Sequence, residues 1–167
     1  MWRLALLLSV VVVGCADPCA DLGASGLVLG SADEAGEGFL PVAPMDRLIL
    51  LAGLQGGAHL WLKARITGVC PSSAVVDRRV VDAVTSEVFL VGRGPIEFED
   101  VGGEEFESGL LRLALCPDPS ARVIDGRELR VVASVVDSSG RRADAQVPFT
   151  ASCNGERRCE SFCTGGE

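Results

Sequence analysis

An alternation of apolar and polar side chains over residues 58–66 is the feature that most limits how this chain folds. Consecutive side chains of a β-strand point to opposite faces, so this period of two predicts a strand with one buried face. The apolar series is Ala58, Leu60, Leu62, Ala64 and Ile66, and the opposite series is His59, Trp61, Lys63 and Arg65. A shift of one residue would bury two cations, so the orientation of the strand is well determined.

Short apolar or alternating segments recur along the rest of the chain and are separated by turn residues. They predict further strands at residues 27–29, 39–42, 47–52, 74–81, 87–91, 96–98, 110–115, 128–136 and 143–150. Asp137-Ser138-Ser139-Gly140 is typical of a hairpin connection, and Gly92-Arg93-Gly94-Pro95 is also predicted to be a turn. No segment has a long helical period. The predicted fold is therefore all-β: an antiparallel β-sandwich, immunoglobulin-like in general form.

The seven cysteines give a second constraint. An even set of six predicts disulfides, and its members are Cys19, Cys70, Cys116, Cys153, Cys159 and Cys163. The sequence leaves their connectivity open. Cys70 and Cys116 each precede a proline at the end of a predicted strand, which favours a bridge between them. Cys19 and the three C-terminal cysteines would then form the other two bonds. The last three lack the paired C-x-x-C spacing of zinc sites, so no metal site is predicted.

The seventh cysteine, Cys15, ends an N-terminal segment in which Arg3 precedes an apolar run, Leu4 to Val13. The run is too short to cross a bilayer, which takes about 20 apolar residues, but it matches a signal peptide. It ends in Val12-Val13-Gly14-Cys15, which resembles the lipobox of bacterial lipoproteins. That resemblance implies cleavage before Cys15 and lipidation of its thiol. A plain secretion signal or an uncleaved apolar anchor is the alternative.

The resemblance to lipoproteins also implies a location. In that family a residue other than Asp after the lipidated cysteine, here Ala16, favours export to the outer membrane. The predicted organisation is a signal peptide at 1–14, a lipidated tether at 15–25, a β-sandwich domain at 26–151 and a disulfide-braced, Cys-rich tail at 152–167. The membrane is therefore a predicted partner, through the lipid anchor.

The acidic balance of the chain excludes one class of partner. The net charge is −8, and removal of residues 1–14 takes away Arg3 alone, which makes it −9. Nucleic-acid binding depends on neutralisation of phosphates by Lys and Arg, so no nucleic-acid partner is predicted. Negative charge also opposes electrostatic docking on anionic lipids.

The sequence contains no convincing catalytic site. His59 is the only histidine, and no Gly-x-Ser-x-Gly segment accompanies it as a serine nucleophile. No glycine-rich loop is followed by the lysine and helix that a phosphate site needs. We therefore predict a non-enzymatic protein with no catalytic residues and no cofactor.

Residues 97–107 concentrate negative charge around a Gly-Gly pair. Their carboxylates are Glu97, Glu99, Asp100, Glu104, Glu105 and Glu107, without a basic residue among them. The segment is predicted to be a mobile, solvated loop. Because Ca²⁺ is held by several oxygen ligands, an envelope ligand- or metal-binding protein that uses this loop is the alternative function.

The segment Gln55-Gly56-Gly57-Ala58-His59-Leu60-Trp61 resembles a motif in uncharacterised lipoproteins of Gram-negative bacteria, and that resemblance implies no known activity. An exposed tryptophan beside cations favours protein contacts. The face formed by His59, Trp61, Lys63 and Arg65 is therefore predicted to bind another envelope or extracellular protein, and a ligand site there is the alternative. Burial of Trp61 under a loop or the second sheet is the structural alternative.

Overall fold

The computed structural model describes residues 19, 22–32, 37–54, 56–116 and 123–163. The predicted signal peptide (1–14), Cys15 and most of the tether (15–25) lie outside the described residues. Gln55 and residues 164–167 of the tail also lie outside them. Within the described ranges, no helix has the length and apolar character needed to span a membrane.

Short strands make up most of the described part of the chain. They are β1 (Gly26–Ser31), β2 (Leu40–Pro41), β3 (Asp46–Ile49), β4 (Leu51–Ala52), β5 (Ala58–Thr67), β6 (Val75–Asp82), β7 (Val88–Pro95), β8 (Phe98–Gly102), β9 (Glu105–Ser108), β10 (Leu111–Cys116), β11 (Glu128–Val136) and β12 (Arg142–Ser152). A 3-10 turn covers Pro71–Ser73, and helix α1 covers Arg157–Cys163.

The strands form two sheets that pack face to face. The first sheet has the order β2-β1-β5-β9-β8, with β4 and β10 also paired to β5, and the second has the order β3-β12-β11-β6-β7. The described pairings are antiparallel except that of β3 with β12, which is parallel. The prediction of an all-β sandwich is confirmed.

The core lies between the sheets and is built from alternating residues. On β5, Leu60 and Leu62 are 2% exposed and Ile66 is fully buried. On β11, Leu129 and Val135 are fully buried in the facing sheet. The predicted inward face of β5 is therefore confirmed, and β11 has the same period of two.

The segment 47–52, predicted as one buried strand, instead changes sheets in its middle. Asp46–Ile49 pairs with β12 of the second sheet, and Leu51–Ala52 pairs with β5 of the first. Leu50, between the two pieces, is 1% exposed. Strands that switch sheets form the corners of sandwiches, so a continuous apolar run is compatible with either arrangement.

The turn predicted at Gly92–Pro95 is wrong, because these residues belong to β7. Gly92 lies opposite Arg78, which occupies an inward position between the fully buried Val76 and Val80. A Cβ on Gly92 would lie 3.3 Å from the Arg78 guanidinium carbon. Gly92 therefore lacks a side chain because the Arg78 side chain occupies the adjacent space, and it does not mark a turn.

The acidic segment is an ordered hairpin rather than the predicted loop. Strands β8 and β9 pair directly, with Glu99 opposite Glu107. The chain reverses through Gly102, Gly103 and Glu104, which have φ angles of 88°, 66° and 65°. Paired glycines supply the left-handed backbone that such a tight reversal requires.

The six described cysteines form three disulfides, as predicted, but the favoured Cys70–Cys116 bridge is wrong. The bonds are Cys19–Cys70, Cys116–Cys163 and Cys153–Cys159. Cys70 follows the C-terminal end of β5, whereas Cys116 lies opposite Ala58 at its N-terminal end. Because β10 runs antiparallel to β5, the two cysteines are at opposite ends of the sandwich and cannot meet.

The C-terminal segment is braced by two of these disulfides, as predicted. Helix α1 places Cys159 and Cys163 in the core, where both are at most 1% exposed. The backbone N–H of Ile124 donates to the carbonyl of Cys163 at 2.8 Å. The helix therefore covers one end of the sandwich.

Candidate functional site

The outer face of β5 carries the four residues predicted to bind a partner. His59, Trp61, Lys63 and Arg65 are all partly buried and alternate with the core residues. The neighbouring strands differ along the length of β5. Strands β1 and β9 flank its C-terminal half, and β4 and β10 flank its N-terminal half. The two halves of this face consequently have different surroundings.

The C-terminal half is closed by ion pairs with the acidic hairpin. The Lys63 ammonium lies 3.0 Å from one oxygen of Glu107, and an Arg65 nitrogen lies 2.8 Å from the other. Arg65 also reaches Glu105 at 3.3 Å, and Lys63 donates to the carbonyl of Gly38 at 2.8 Å. Both cations are therefore bound by groups of the domain itself.

An aromatic ring completes this closure. The guanidinium carbon of Arg65 lies 4.2 Å from the centre of the Phe39 ring, a cation–π contact. The ring lies against Gly30, where an added Cβ would be 2.7 Å from it. Segment 37–39 therefore packs over the outer face, and Lys63 and Arg65 do not form an open binding surface.

Glu107 is the electrostatic centre of this network, and its side chain is only 13% exposed. Burial alone would raise the pKa of Glu107, but hydrogen bonds and charge from Arg65 and Lys63 outweigh it and hold that pKa below its usual value. A carboxyl group whose pKa is lower in the folded state stabilises the fold at neutral pH. That stabilisation is lost as the pH falls through the folded-state pKa.

We expect Glu107→Gln to lower the free energy of unfolding by about 1–3 kcal/mol at pH 7, because it removes the carboxylate that two partly buried cations share. The difference from the wild type should shrink below about pH 4.5, the ordinary pKa of a glutamate. Urea titrations at several pH values measure it. Glu99→Gln, at the exposed position opposite Glu107, is the matched control and should change stability by less than about 0.5 kcal/mol. A constant difference from pH 7 to pH 3 would contradict the assignment.

These contacts also bear on the alternative of a metal site in the acidic segment. Two of its six carboxylates are bound to Arg65 and Lys63. Among the described residues, the one group of three or more ligand atoms close enough to hold an ion is Cys153, Cys159 and Cys163. All three are in disulfides, so they do not offer thiolates.

The N-terminal half of the face is open and largely apolar. We call it the Trp61 patch and define it as Leu51, Leu54, His59, Trp61 and Arg112. Leu51 lies opposite His59, and Arg112 lies opposite Trp61. Leu51 is 54% exposed and Leu54, in the following turn, is 93% exposed. The exposed Arg112 has no ion-pair partner among the described residues.

His59 adds ring surface to the patch rather than charge. Burial and the nearby Arg112 both lower the pKa of His59, so the imidazole is neutral at pH 7. Its ring meets that of Trp61 edge-on, with centroids 6.4 Å apart. Gly53 leaves room for it, since a Cβ there would lie 2.7 Å from Nε2. A side chain at this position of the turn before β5 would therefore collide with the His59 ring.

Sequence reasoning missed Arg112, Leu51 and Leu54 as members of this surface. Arg112 alternates with buried leucines in β10, a signal that assigns it to an outer face. That Arg112 lies beside Trp61 follows only from the pairing of β10 with β5, and the two residues are about fifty positions apart in the chain. Nothing local in the sequence specifies that pairing.

A second concave surface lies on the outer face of the second sheet and has a volume of about 450 Å³. Its charged lining has both signs and comprises Asp77, Arg79, Arg93, Arg142 and Asp144. Arg142 and Asp144 form an ion pair at 2.7 Å while both remain more than half exposed. Exposed pairs of this kind contribute little, so the Trp61 patch is the stronger candidate.

Comparison with known proteins does not identify a family. No protein-family model matches the chain, and a search of curated proteins found no similar sequence. One similar solved structure is CopC from Methylosinus trichosporium OB3b, with 17% identity and a TM-score of 0.33 over 66% of this chain and 85% of that one. Another is a DUF4466 family protein from Parabacteroides merdae ATCC 43184, with 16% identity and a TM-score of 0.35 over 80% of this chain and 46% of that one. The functional assignment therefore rests on the chain's own residues.

Proposed function

We propose that this chain is a lipid-anchored protein of the bacterial cell envelope, placed in the outer membrane, whose β-sandwich is a non-enzymatic binding module. Its partner is another envelope or extracellular protein, which contacts the Trp61 patch. The observation that carries the proposal is the contrast along β5. The internal ion pairs close one half of its outer face. The other half presents Trp61 beside Arg112, which forms no ion pair with any residue that the structure describes.

The chemistry of the patch indicates the kind of surface it binds. Tryptophan and arginine are enriched among the residues that dominate binding energy at protein interfaces. Leu51, opposite His59, and Leu54, in the turn before β5, add exposed apolar area near the neutral imidazole. A complementary partner segment would therefore present apolar side chains together with a carboxylate that pairs with Arg112.

The disulfide pattern supports the anchor. The six described cysteines pair with one another, which leaves Cys15 with no cysteine to bind. An unpaired thiol is unusual in an exported protein with three disulfides, and lipidation accounts for it. The lipobox-like segment before Cys15 is an independent indication that this thiol is lipidated.

We expect Cys15→Ser to abolish lipid labelling and to leave the precursor unprocessed or mislocalised, because the acyl group is attached through the thiol. Metabolic labelling with a fatty-acid analogue and mass spectrometry of the mature N-terminus measure both effects. The double variant Cys19→Ala/Cys70→Ala is the control and should still be labelled. An unlipidated wild-type protein with a mature N-terminus other than Cys15 would refute the anchor.

We expect Trp61→Ala and Arg112→Glu each to weaken partner binding strongly, with a loss of at least about 2 kcal/mol, or roughly 30-fold in Kd, at a central tryptophan. A photo-crosslinking residue at Leu54, in the patch, should give a discrete adduct in intact cells, and both substitutions should remove it. The control position is Val91, which is 63% exposed on the other sheet and should give no such adduct. Adducts of equal yield at both positions, unchanged by Trp61→Ala, would contradict the proposal.

A further inference from the structure

We propose that the Cys19–Cys70 disulfide, together with the short tether, holds the domain in one orientation relative to the membrane. In this orientation, one end of the sandwich rests on the headgroups of the protein's own membrane, and the Trp61 patch lies at the opposite end. This inference rests on the proposed lipidation of Cys15.

The distance between anchor and domain is short. Cys19 follows Cys15 by four residues, and four residues of extended chain span at most about 14 Å. Cys19 is bonded to Cys70, with the two Cα atoms 5.2 Å apart. The lipid attachment point is therefore held within about 20 Å of Cys70, wherever the intervening residues lie.

Hydrogen bonds beyond the disulfide hold the incoming chain against the same end of the domain. A guanidinium nitrogen of Arg141 donates to the carbonyl of Leu22 at 2.7 Å. The hydroxyl of Ser25 donates to the carbonyl of Gly68 at 3.2 Å, and that of Thr67 donates to the carbonyl of Ala24 at 3.3 Å.

The close approach of this segment requires the glycine. Gly68 has a φ of +63°, and any Cβ there would meet the carbonyl oxygen of Ala24. Residues 22–25 of the tether are thus packed on the loop that follows β5. A domain held at a disulfide and three hydrogen bonds has much less rotational freedom than one on a flexible linker.

The end of the domain at this point is rich in serine, and we call it the serine end: Ser72, Ser73, Ser138 and Ser139. The hydroxyls of Ser73 and Ser138 lie 3.0 Å apart, which joins the 3-10 turn to the turn between β11 and β12. Asp137 is 5% exposed and points inward, where it accepts the backbone N–H of Cys70 at 2.9 Å.

Charge does not draw this end to the membrane. The chain has a net charge of −8, and a carboxylate-rich surface is repelled by anionic headgroups. Asp137 is turned inward and bound by the domain's own donors, but the exposed Glu97 lines a concave surface with Ser72 and Ser73. Glu104 of the acidic hairpin also lies close to Gly23 of the tether. The short tether, and not headgroup attraction, therefore holds this end at the membrane.

The Trp61 patch lies far from this end. On β5, Trp61 is six residues and His59 eight residues from Thr67, which lies beside the tether, so they are roughly 20 and 26 Å from it at the usual rise of a strand. Leu54 precedes Ala58, in the turn at the far end. The orientation thus holds the patch away from the lipid surface, where a protein partner reaches it without competition from the bilayer.

Paramagnetic broadening of amide NMR signals tests this orientation on the lipidated, full-length mature protein. The protein is placed in nanodiscs of phosphatidylethanolamine and phosphatidylglycerol that contain a lipid with a gadolinium-chelating headgroup. We expect the amide signals of Ser72 and Ser138 to be broadened beyond detection and those of Leu54 and Trp61 to keep most of their intensity. The control carries a ten-residue Gly/Ser insertion after Asp17, which keeps every disulfide but lengthens the tether, and it should lose this contrast.

The possible failures are distinguishable. Equal broadening at both ends of the lipidated wild type, or stronger broadening at Trp61, would overturn the orientation while leaving the anchor intact. A mature chain that mass spectrometry shows to carry no lipid would overturn the anchor and the orientation together. An unchanged contrast in the insertion variant would show that the short tether does not set the orientation, and would overturn its proposed cause.

Discussion

Removal of the Cys116–Cys163 disulfide by the double substitution Cys116→Ala/Cys163→Ala is expected to lower the free energy of unfolding by about 4 kcal/mol. The bond closes a loop between residues separated by 47 positions, and it limits the conformational entropy of the unfolded chain. It also holds α1 against the end of the sandwich. Equilibrium urea unfolding, with the slope of the transition recorded, measures the loss.

The Cys153–Cys159 disulfide provides a matched control, because its cysteines are also buried but only six positions apart. The same chain-entropy relation gives a loss of about 2 kcal/mol for Cys153→Ala/Cys159→Ala. Both double variants remove two buried sulfur atoms, so their difference reports loop length. Equal losses would contradict the loop-closure explanation and assign the effect to local packing around α1.

The strands were predictable where the signal was local. The alternation over β5 and β11 specifies which side chains face the core, because the period of a strand acts within a few residues. The sheet change inside residues 47–52 was not predictable, since Leu48 and Leu50 are buried in either arrangement. The strand at Gly92–Pro95 was missed for a related reason. Gly92 leaves space for Arg78 on the neighbouring strand β6, and this role is visible only once the pairing of the two strands is known.

The disulfides illustrate the same limit. The cysteine count and the predicted export of the chain were enough to predict six bonded cysteines, but connectivity depends on which strand ends meet in space. Cys70 follows β5, Cys116 ends β10, and both precede prolines; these local similarities suggested a bridge. Antiparallel pairing of β10 with β5 places them at opposite ends.

The candidate site was likewise predictable where the signal was local and unpredictable where it depended on strand pairing. The sequence placed His59, Trp61, Lys63 and Arg65 on one face, and the structure shows them alternating with the core. The acidic segment was interpreted as lacking compensating bases because none occurs within residues 97–107. Its bases are on β5, about forty residues away in the chain, and the register of β9 on β5 brings Glu107 beside Arg65. Two features predicted separately thus form one ion-pair network.

Truncation on the two sides of β5 is expected to lower stability by different amounts. Leu62→Ala should lower the free energy of unfolding by about 2–5 kcal/mol, because Leu62 is 2% exposed and its loss leaves a cavity between the sheets. Trp61→Ala should cost less than about half as much, because that ring lies on the partly exposed outer face. Urea unfolding midpoints and slopes compare the two variants directly. A loss at Trp61 as large as that at Leu62 would mean that the ring is a structural element of the sheet, and the Trp61 patch would then cease to be a candidate binding surface.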